Sequence, residues 1–454
     1  MDLGNYSNEI QKLLIEKGIR IGDRISIRKS GQIYDGLLMP KSSGDKNTLV
    51  IKLSNGYNTG IDFDKNAIIE KKEGEKQIGK KIKIEKLKPD PNKPNISILS
   101  TGGTIASKVD YKTGGVTPLE TPEELIYSVP ELGKIANIKF RQVFQMFSED
   151  MEPYHWMELA KKIYEEIQET KPDGIIIAHG TDTLHYTSIA LSFMLQDSPI
   201  PILLVGSQRS TDRGSSDAAM NLVCAAQFIA KSDFSGISIC MHASSSDNYC
   251  NINDSIRVRK MHSSRRDAFR SIDVMPYAKV EPDGTIEYFR SDYKKRDKKR
   301  KPVLIDRFEK RVTLIKLYPG FDYRILENLE KLGFRGIVLE GTGLGHAPIN
   351  VKDDYTKDHA KLLETIQNLT KKGILIIMTS QTPYGVVNLN VYSTGRLLLD
   401  AGVIPLPMTS EAAFMKLGWV LGHTKDSEEA KKMMLKDQVG EFTKRIDPRA
   451  FEEM

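Results

Sequence analysis

Two apolar runs with strand character, residues 96–99 and 175–178, each lead directly into glycine and hydroxyl-bearing residues. The first run continues as Ser-Thr-Gly-Gly-Thr, and the second as His-Gly-Thr-Asp-Thr. Glycine allows the backbone to turn sharply at the end of a strand. Open α/β sheets bind their ligands at the carboxyl ends of the strands. The pattern therefore predicts that Thr104, Thr181 and Asp182 meet over one edge of a parallel sheet.

The sequence around these two runs alternates between strand and helix. Residues 94–285 show this alternation, and residues 312–440 resume it after a basic stretch. Helices that connect parallel strands cover both faces of the sheet. We therefore predict an α/β fold with two parallel-sheet domains. Residues 286–311 are predicted to be a basic, exposed linker between them, and residues 441–454 a C-terminal tail.

The beginning of the chain follows a different pattern. After a short helix, apolar and polar residues alternate with the period of two that is typical of strands, and Asn55 and Gly56 form a hairpin-turn signal. Residues 1–82 are therefore predicted to form a small, barrel-like all-β domain. Residues 83–93 are charged and contain proline, which indicates a linker.

Composition limits the protein classes that remain. The chain is 39% hydrophobic and 28% charged, which is ordinary for a globular protein, and its net charge of +6 over 454 residues is mild. The 3 cysteines include no CxxC pair, so we expect a reduced, cytoplasmic setting. The first residues lack the features of a signal peptide, and no apolar run reaches the length of about 18 residues that a membrane span needs.

Thr104 is the candidate nucleophile. A threonine hydroxyl is a weak nucleophile at neutral pH and needs a base or a polarising neighbour. Thr181 and Asp182 offer a hydroxyl and a carboxylate for that purpose. The alternative is that Thr104 only caps a helix after a strand-to-helix turn.

Three motifs carry a resemblance to a known family. Residues 101–106 and 179–183 resemble the two signature motifs of the bacterial-type asparaginases, and the sequence Arg-Val-Arg-Lys at 257–260 agrees with that family in order and spacing. The resemblance covers roughly residues 94–440. It implies two asparaginase-like α/β domains, with the active site in the first.

The resemblance also implies catalytic roles. Thr104 would attack an amide carbon, and Thr181, Asp182 and Lys260 would form the polar relay beside it. A lysine close to a hydroxyl and a carboxylate can accept or polarise a proton. Asp182 could also hold the α-ammonium group of the substrate. Without the resemblance, Lys260 would be interpreted as a surface lysine of a basic stretch.

Three further residues match substrate-binding positions. Similar enzymes carry a tyrosine on a closing loop near the position of Tyr111. Ser148 and Glu149 resemble the segment that grips the α-carboxylate and α-amino groups of the substrate, with Glu149 in place of the usual glutamine. Because a carboxylate pairs well with an ammonium group, we expect Glu149 to face the amino end of the ligand. The alternative is an ordinary surface loop with helix-capping acids.

The remaining polar motifs are given no catalytic role. His179 is interpreted as structural. The glycine-rich loop before His346 lacks the lysine and hydroxyl ending of a phosphate-binding loop. No spacing indicates a metal site, so no metal or cofactor is expected in this chain. The basic run at 294–301 is interpreted as a solvated linker, with contact to RNA as the alternative.

The N-terminal segment indicates which members of the family the chain resembles. Free asparaginases begin close to their first motif, whereas here residues 1–94 precede it. Residues 34–40 and 50–60 resemble the leading domain of the D subunits of archaeal glutamyl-tRNA(Gln) amidotransferases. That resemblance implies a homodimer that releases ammonia from glutamine or asparagine and forms a heterotetramer with the E subunits of the amidotransferase. The E subunit would use ATP and Mg²⁺ to amidate Glu-tRNA(Gln).

Two other interpretations stay open at this point. The chain could be a free cytosolic L-asparaginase with an added β domain, or a non-catalytic RNA-binding scaffold built on an inactive amidohydrolase. The presence of Thr104, Thr181, Asp182 and Lys260 together weakens the second.

Overall fold

The computed structural model describes most of the chain. The described ranges are 6–39, 45–53, 58–64, 67–72, 89–103, 105, 107–109, 116–118, 125–126, 129–209 and 216–451. The predicted hairpin turn at Asn55 and Gly56 and part of the predicted linker, residues 83–88, lie outside the described residues.

An antiparallel sheet forms the N-terminal domain, as the alternating pattern predicts. Its elements are α1 (Asn8–Glu16), β1 (Arg24–Lys29), β2 (Gln32–Leu38), β3 (Thr48–Leu53), β4 (Asn58–Asp62) and β5 (Ile68–Lys71). The 5 strands are ordered β4-β3-β2-β1-β5. Ile25, Ile27 and Ile51 are fully buried on this sheet, and Ile10 and Leu14 of α1 join the same core. Burial of this apolar surface holds the helix against the sheet.

The first α/β domain is built on a sheet of 8 strands and also has short strands outside that sheet. Its strands are β6 (Asn95–Ser100), β7 (Ser107–Val109), β8 (Val116–Pro118), β9 (Asn137–Gln142), β10 (Gly174–Ala178), β11 (Leu195–Gln196), β12 (Pro201–Val205), β13 (Gly236–His242), β14 (Cys250–Asp254), β15 (Val258–Lys260), β16 (Phe269–Ser271), β17 (Ala278–Val280), β18 (Ile286–Tyr288) and β19 (Val303–Leu304). Its helices are α2 (Glu131–Ile135), α3 (Pro153–Thr170), α4 (Leu184–Met194) and α5 (Ala218–Lys231).

The order of the large sheet is β18-β17-β14-β13-β12-β10-β6-β9. Strands β9, β6, β10, β12 and β13 run parallel, and β14, β17 and β18 add an antiparallel edge. Every residue of β10 is buried, because helices cover both faces of a parallel sheet. The predicted parallel architecture is therefore present in this domain.

The second α/β domain has a smaller, fully parallel sheet. Its strands are β20 (Val312–Lys316), β21 (Gly336–Gly341), β22 (Leu375–Ser380) and β23 (Ile404–Pro405), paired in that order. Its helices are α6 (Arg324–Lys331), α7 (Asp358–Lys371), α8 (Ser393–Asp400), α9 (Ser410–His423) and α10 (Ser427–Leu435). Within the described residues, no helix is both long and apolar enough to span a membrane.

Helix α9 joins the two α/β domains. It packs against β20, β21 and β22 of its own domain and against α4 of the first domain. Both α4 and α9 are buried on nearly all sides, as helices with apolar residues around their whole circumference are. Phe193 and Trp419 meet across this contact with ring centroids 5.7 Å apart. The two domains consequently share one hydrophobic core.

Most of the basic run between the domains is exposed, but the segment also contains strands. Strand β18 lies within it and belongs to the large sheet, and β19 pairs with β11. In the basic run, Lys294 pairs with Asp197 at 2.6 Å, and Arg300 donates to the carbonyl of Ser198. The acids and carbonyls that fix this run are distant in sequence, so composition alone could not reveal them. Contact of the run with RNA stays a prediction.

The predicted C-terminal tail also folds back onto the protein. The amide of Thr443 donates to the carbonyl of Pro407 at 2.8 Å, and the amide of Asp447 donates to the carbonyl of Asp273 at 2.9 Å. Residues 436–443, which we call the C-terminal strap, contact both α/β domains, because Arg257 of the first domain also donates to the carbonyls of Gly440 and Phe442.

Candidate active site

The two glycine-containing motifs lie at the same edge of the large sheet. Strands β6 and β10 are parallel neighbours, with Ser100 opposite Ala178. The amide of Thr101, the first residue after β6, donates to the carbonyl of Ala178 at 2.9 Å. The turns that follow the two strands are therefore side by side, as the strand-end argument predicted.

Close packing explains why glycines occupy these turns. Gly103 has a φ of +79°, a left-handed conformation that side chains disfavour. A Cβ at Gly103 would lie 2.7 Å from the amide nitrogen of Gly180, and one at Gly180 would lie 2.9 Å from Oγ of Ser148. Only residues without a side chain allow the three segments to approach this closely.

Lys260 joins the two residues of the second motif. Its Nζ donates to Oγ1 of Thr181 at 2.9 Å and to Oδ1 of Asp182 at 2.7 Å. The lysine side chain is 10% exposed and that of Asp182 is 63% exposed. A nearly buried ammonium group thus lies between a hydroxyl and a carboxylate at an opening to solvent, which brings three of the predicted catalytic residues together.

Gln208 is a further site residue, and the sequence analysis missed it. It follows β12, the strand next to β10, and its Oε1 lies 3.5 Å from Oγ1 of Thr181. Its Nε2 is buried and has no hydrogen-bond partner among the described residues. The backbone N–H of Gln208 donates to Oδ2 of Asp217 at 3.0 Å. The same strand-end rule, applied to the glycine after β12, would have found it.

The predicted substrate-binding pair lies in a single helical turn over Ser148–Asp150. Ser148 is buried against Gly180, and its carbonyl accepts a hydrogen bond from Thr183 at 2.5 Å. Glu149 is exposed. The structure therefore brings Ser148 to the candidate site, and Glu149 lies next to it with its carboxylate in solvent.

His179 has the contacts of a structural residue. It is fully buried, and its Nδ1 lies 2.6 Å from the carbonyl of Gly180. Its Nε2 lies 2.9 Å from the hydroxyl of Thr187, which accepts from Trp156 at 3.1 Å. Burial lowers the pKa of His179 to about 4. A neutral ring that donates from Nδ1 and accepts at Nε2 satisfies all these groups.

A second buried histidine, His185, lies on α4. Burial lowers its pKa to about 3, and the charges of Arg259 and Lys260 act in the same direction. Its Nδ1 has no hydrogen-bond partner in the part of the chain that the structure describes. His185 therefore stays uncharged near neutral pH.

Thr104 and Tyr111 lie outside the described residues, so the structure assigns neither of them a position. Gly103 and Ile105, the two chain neighbours of Thr104, are described, and Ile105 is buried. In the part of the chain that the structure covers, no group of three His, Cys, Asp or Glu side chains could hold a metal ion.

The arrangement can carry out proton transfer next to a bound polar ligand. Lys260 and Thr181 are in hydrogen-bond contact, which a relay requires. The exposed carboxylates of Asp182 and Glu149 can attract an ammonium group.

Comparison with known proteins agrees with this architecture. Residues 95–294 match the family "Asparaginase, N-terminal", residues 311–434 the "Glutaminase/Asparaginase C-terminal domain", and residues 19–71 the "GatD N-terminal domain". Among solved structures, the thermostable L-asparaginase from Thermococcus kodakarensis is similar, with 34% identity and a TM-score of 0.67. That likeness covers 77% of this chain and 99% of the asparaginase.

Curated relatives extend the likeness to nearly the whole chain. The D subunit of glutamyl-tRNA(Gln) amidotransferase from Pyrococcus furiosus is 48% identical, over 97% of this chain and 99% of the relative. The protein of the same name from Pyrococcus horikoshii is 47% identical, over 96% and 97%. These matches include the N-terminal β domain that the asparaginase likeness leaves uncovered. The chain therefore belongs to the asparaginase-related family of glutamyl-tRNA(Gln) amidotransferase D subunits.

Proposed function

We propose that this chain is the glutaminase subunit of a glutamyl-tRNA(Gln) amidotransferase. It hydrolyses the side-chain amide of glutamine, or of asparagine, and supplies the ammonia that converts Glu-tRNA(Gln) to Gln-tRNA(Gln). The contact of Lys260 with both Thr181 and Asp182 carries the proposal, because it combines a proton-transfer group with a ligand-accessible carboxylate. The names of the full-length relatives support the coupling to tRNA.

The reaction has two steps. Thr104 Oγ1 bonds to the side-chain amide carbon as its proton passes to Thr181, whose own hydroxyl proton passes to Lys260 in its uncharged amine form. The carbon–nitrogen bond then breaks, and ammonia leaves with that proton, so that an ester between Thr104 and the substrate remains. Water next attacks the ester carbon and gives a proton to the same relay, which passes it to Thr104 Oγ1 as the ester bond breaks, so that the threonine hydroxyl is restored and glutamate is released. Backbone amides of the glycine turns stabilise the oxyanion in each step.

Polar side chains at the rim hold the substrate. Asp182 and Glu149 face solvent near the relay and are suited to its α-ammonium group. The Ser148 hydroxyl binds the α-carboxylate, and Tyr111 closes over the bound substrate. No metal or cofactor of this chain takes part.

The ammonia is used by a partner. We propose that a homodimer of this chain assembles in the cytoplasm with the E subunit of the amidotransferase, which binds ATP, Mg²⁺ and Glu-tRNA(Gln). Because a free glutaminase would waste glutamine, the isolated chain should be poorly active. A partner raises the rate by binding the closed, active form of the site more tightly than the open one.

A free L-asparaginase is the second candidate, because the likeness to the Thermococcus kodakarensis asparaginase covers both α/β domains. The N-terminal β domain of 5 strands, which matches the GatD N-terminal domain, favours the amidotransferase subunit instead.

Ammonia release separates the two candidates. Ammonia is measured from the chain alone, with the E subunit, and with the E subunit plus Glu-tRNA(Gln), using glutamine and asparagine in turn. The proposal predicts that the rate rises with each addition. Equal rates in all three mixtures would contradict the coupling and favour a free asparaginase.

A further inference from the structure

Two arginines, one within the strand that carries Lys260 and one just before it, bind neighbouring segments of the protein. Side chains alternate along β15, so Val258 and Lys260 share one face and Arg259 lies on the other, while Arg257 immediately precedes the strand. Val258 is buried in the core, and Lys260 reaches Thr181. What binds the two arginines therefore sets the position of the lysine.

Arg259 is bound by helix α9 of the second domain. Its Nε lies 3.0 Å from Oε1 of Glu411, at the start of that helix. Glu411 is buried, and burial raises its pKa while the charge of Arg259 opposes that change. The pair crosses from the domain with the candidate site to the domain without it.

Arg257 is bound by the C-terminal strap. Its guanidinium donates to the carbonyl of Gly440 and, at 2.8 Å, to the carbonyl of Phe442. It also lies 3.4 Å from Asp254. The planar guanidinium group can make these bonds at once, whereas the ammonium of a lysine has a different shape.

The same helix holds the strap. Lys416, also on α9, forms an ion pair with Glu441 of the strap, and both side chains are fully buried. Lys416 donates further to the carbonyls of Met434 at 2.8 Å and Lys436 at 2.7 Å. The carboxylate of Glu441 accepts the amide of Val439 at 2.8 Å, which fixes the strap next to its contact with Arg257.

These contacts form a closed ring. It runs from α9 through Glu411 and Arg259 to β15, then through Arg257 to the strap, and through Glu441 and Lys416 back to α9. We propose that this ring positions Lys260 against Thr181, so that its members are positioning residues for the ammonia-releasing reaction. The inference rests on the proposed function and adds a role for the second domain and the C-terminal strap.

The ring gives a structural role to the fully buried ion pair between Lys416 and Glu441. A relay needs its donor and acceptor at hydrogen-bond distance, and a displacement of the lysine by about 1 Å can lower the rate by about 100-fold. The hydrogen bond from Lys260 to Thr181 is the contact that such a displacement would lengthen. The ring does not include Ser148 and Glu149, the residues proposed to bind the substrate.

The test uses Arg259 and Glu411, because Glu441→Gln would leave a fully buried ammonium group without its countercharge and endanger folding. The variants are Arg259→Gln, Arg259→Lys and Glu411→Gln in the full chain with the E subunit. Glu166→Gln is the control, since Glu166 is a buried carboxylate on α3 that pairs with Lys139 of β9, away from the ring.

We expect Arg259→Gln and Glu411→Gln to lower kcat about tenfold or more with KM unchanged. Arg259→Lys keeps the charge opposite Glu411 and should recover most of kcat. Glu166→Gln should leave kcat unchanged even if the melting temperature falls. A purely structural role would give the control and the ring variants the same kinetic behaviour.

Two results would overturn the inference. One is wild-type kcat in folded Arg259→Gln and Glu411→Gln proteins, and the other is a rise in KM with kcat unchanged. Absence of ammonia release from the wild-type complex would be a different failure, because it would refute the proposed function and this role with it.

Discussion

Replacing Lys260 with methionine should lower kcat strongly and change the stability of the protein little. The substitution keeps much of the side-chain length and removes the ammonium group that contacts Thr181 at 2.9 Å and Asp182 at 2.7 Å. A positioned proton-transfer group contributes about 100- to 10,000-fold to rate, so kcat should fall by an amount in that range. KM should change little, because Ser148, Glu149 and Asp182, the residues proposed to bind the substrate, are all retained.

The same change should barely affect stability. The side chain of Asp182 is 63% exposed, so solvent screens its ion pair with Lys260. Such exposed pairs contribute about 0–1 kcal/mol. The free energy of unfolding should therefore fall by no more than about 1 kcal/mol while kcat falls by orders of magnitude.

Steady-state kinetics with glutamine, together with urea denaturation, measures both quantities. Lys294→Met is the control, because Lys294 pairs with Asp197 at 2.6 Å outside the candidate site. The control should keep the wild-type kcat. If Lys260→Met raises only KM, Lys260 is a binding residue, and if it leaves both constants unchanged, the relay is wrong.

Three other perturbations test the site and its surroundings. Gly103→Ala should lower ammonia release about 100-fold or more in a folded protein, because a Cβ at φ +79° would lie 2.7 Å from the amide of Gly180; near-normal release would contradict the packing argument. Gln208→Glu removes the buried Nε2 donor, which has no partner among the described residues, and should raise KM for glutamine about tenfold, whereas an unchanged KM would show that this donor does not meet the substrate. His179 and His185 have pKa values lowered by burial from 6.5 to about 4 and about 3, so they bind protons only on unfolding as the pH falls below 6.5. Urea denaturation should therefore show about 4 kcal/mol less stability at about pH 5 than at about pH 7 from these two residues, with about half of that loss absent in His185→Gln; an unaltered pH dependence in the variant would refute the assignment.

Local sequence pattern was sufficient to predict the sheet and its site edge. The apolar run of β10 predicts a buried parallel strand, and the glycines after β6 and β10 predict where polar side chains gather. The family resemblance then selected Lys260 from a basic stretch, where charge alone indicated a surface residue. Its contact with Thr181 agrees with that choice.

Long-range polar contacts could not be predicted in the same way. Arg257 and Gly440 are far apart in sequence, as are Lys294 and Asp197, and no local period relates them. The basic run is largely exposed, yet its own sequence does not indicate which distant acids and carbonyls bind it. For the same reason, no local pattern indicated that residues 436–443 bind Arg257, just before the strand that carries Lys260.

The most direct measurement follows the nitrogen atom itself. Complexes of the E subunit with wild-type chain or with the Thr104→Ala variant receive ATP, Mg²⁺, Glu-tRNA(Gln) and glutamine that carries heavy nitrogen in its side-chain amide. With the wild-type chain, the heavy nitrogen should appear in the amide of Gln-tRNA(Gln). With Thr104→Ala it should not, while added ammonium salt should restore amidation, because only the release of ammonia is lost. Transfer of heavy nitrogen at the wild-type rate by the folded variant would contradict the assignment of Thr104 as the nucleophile.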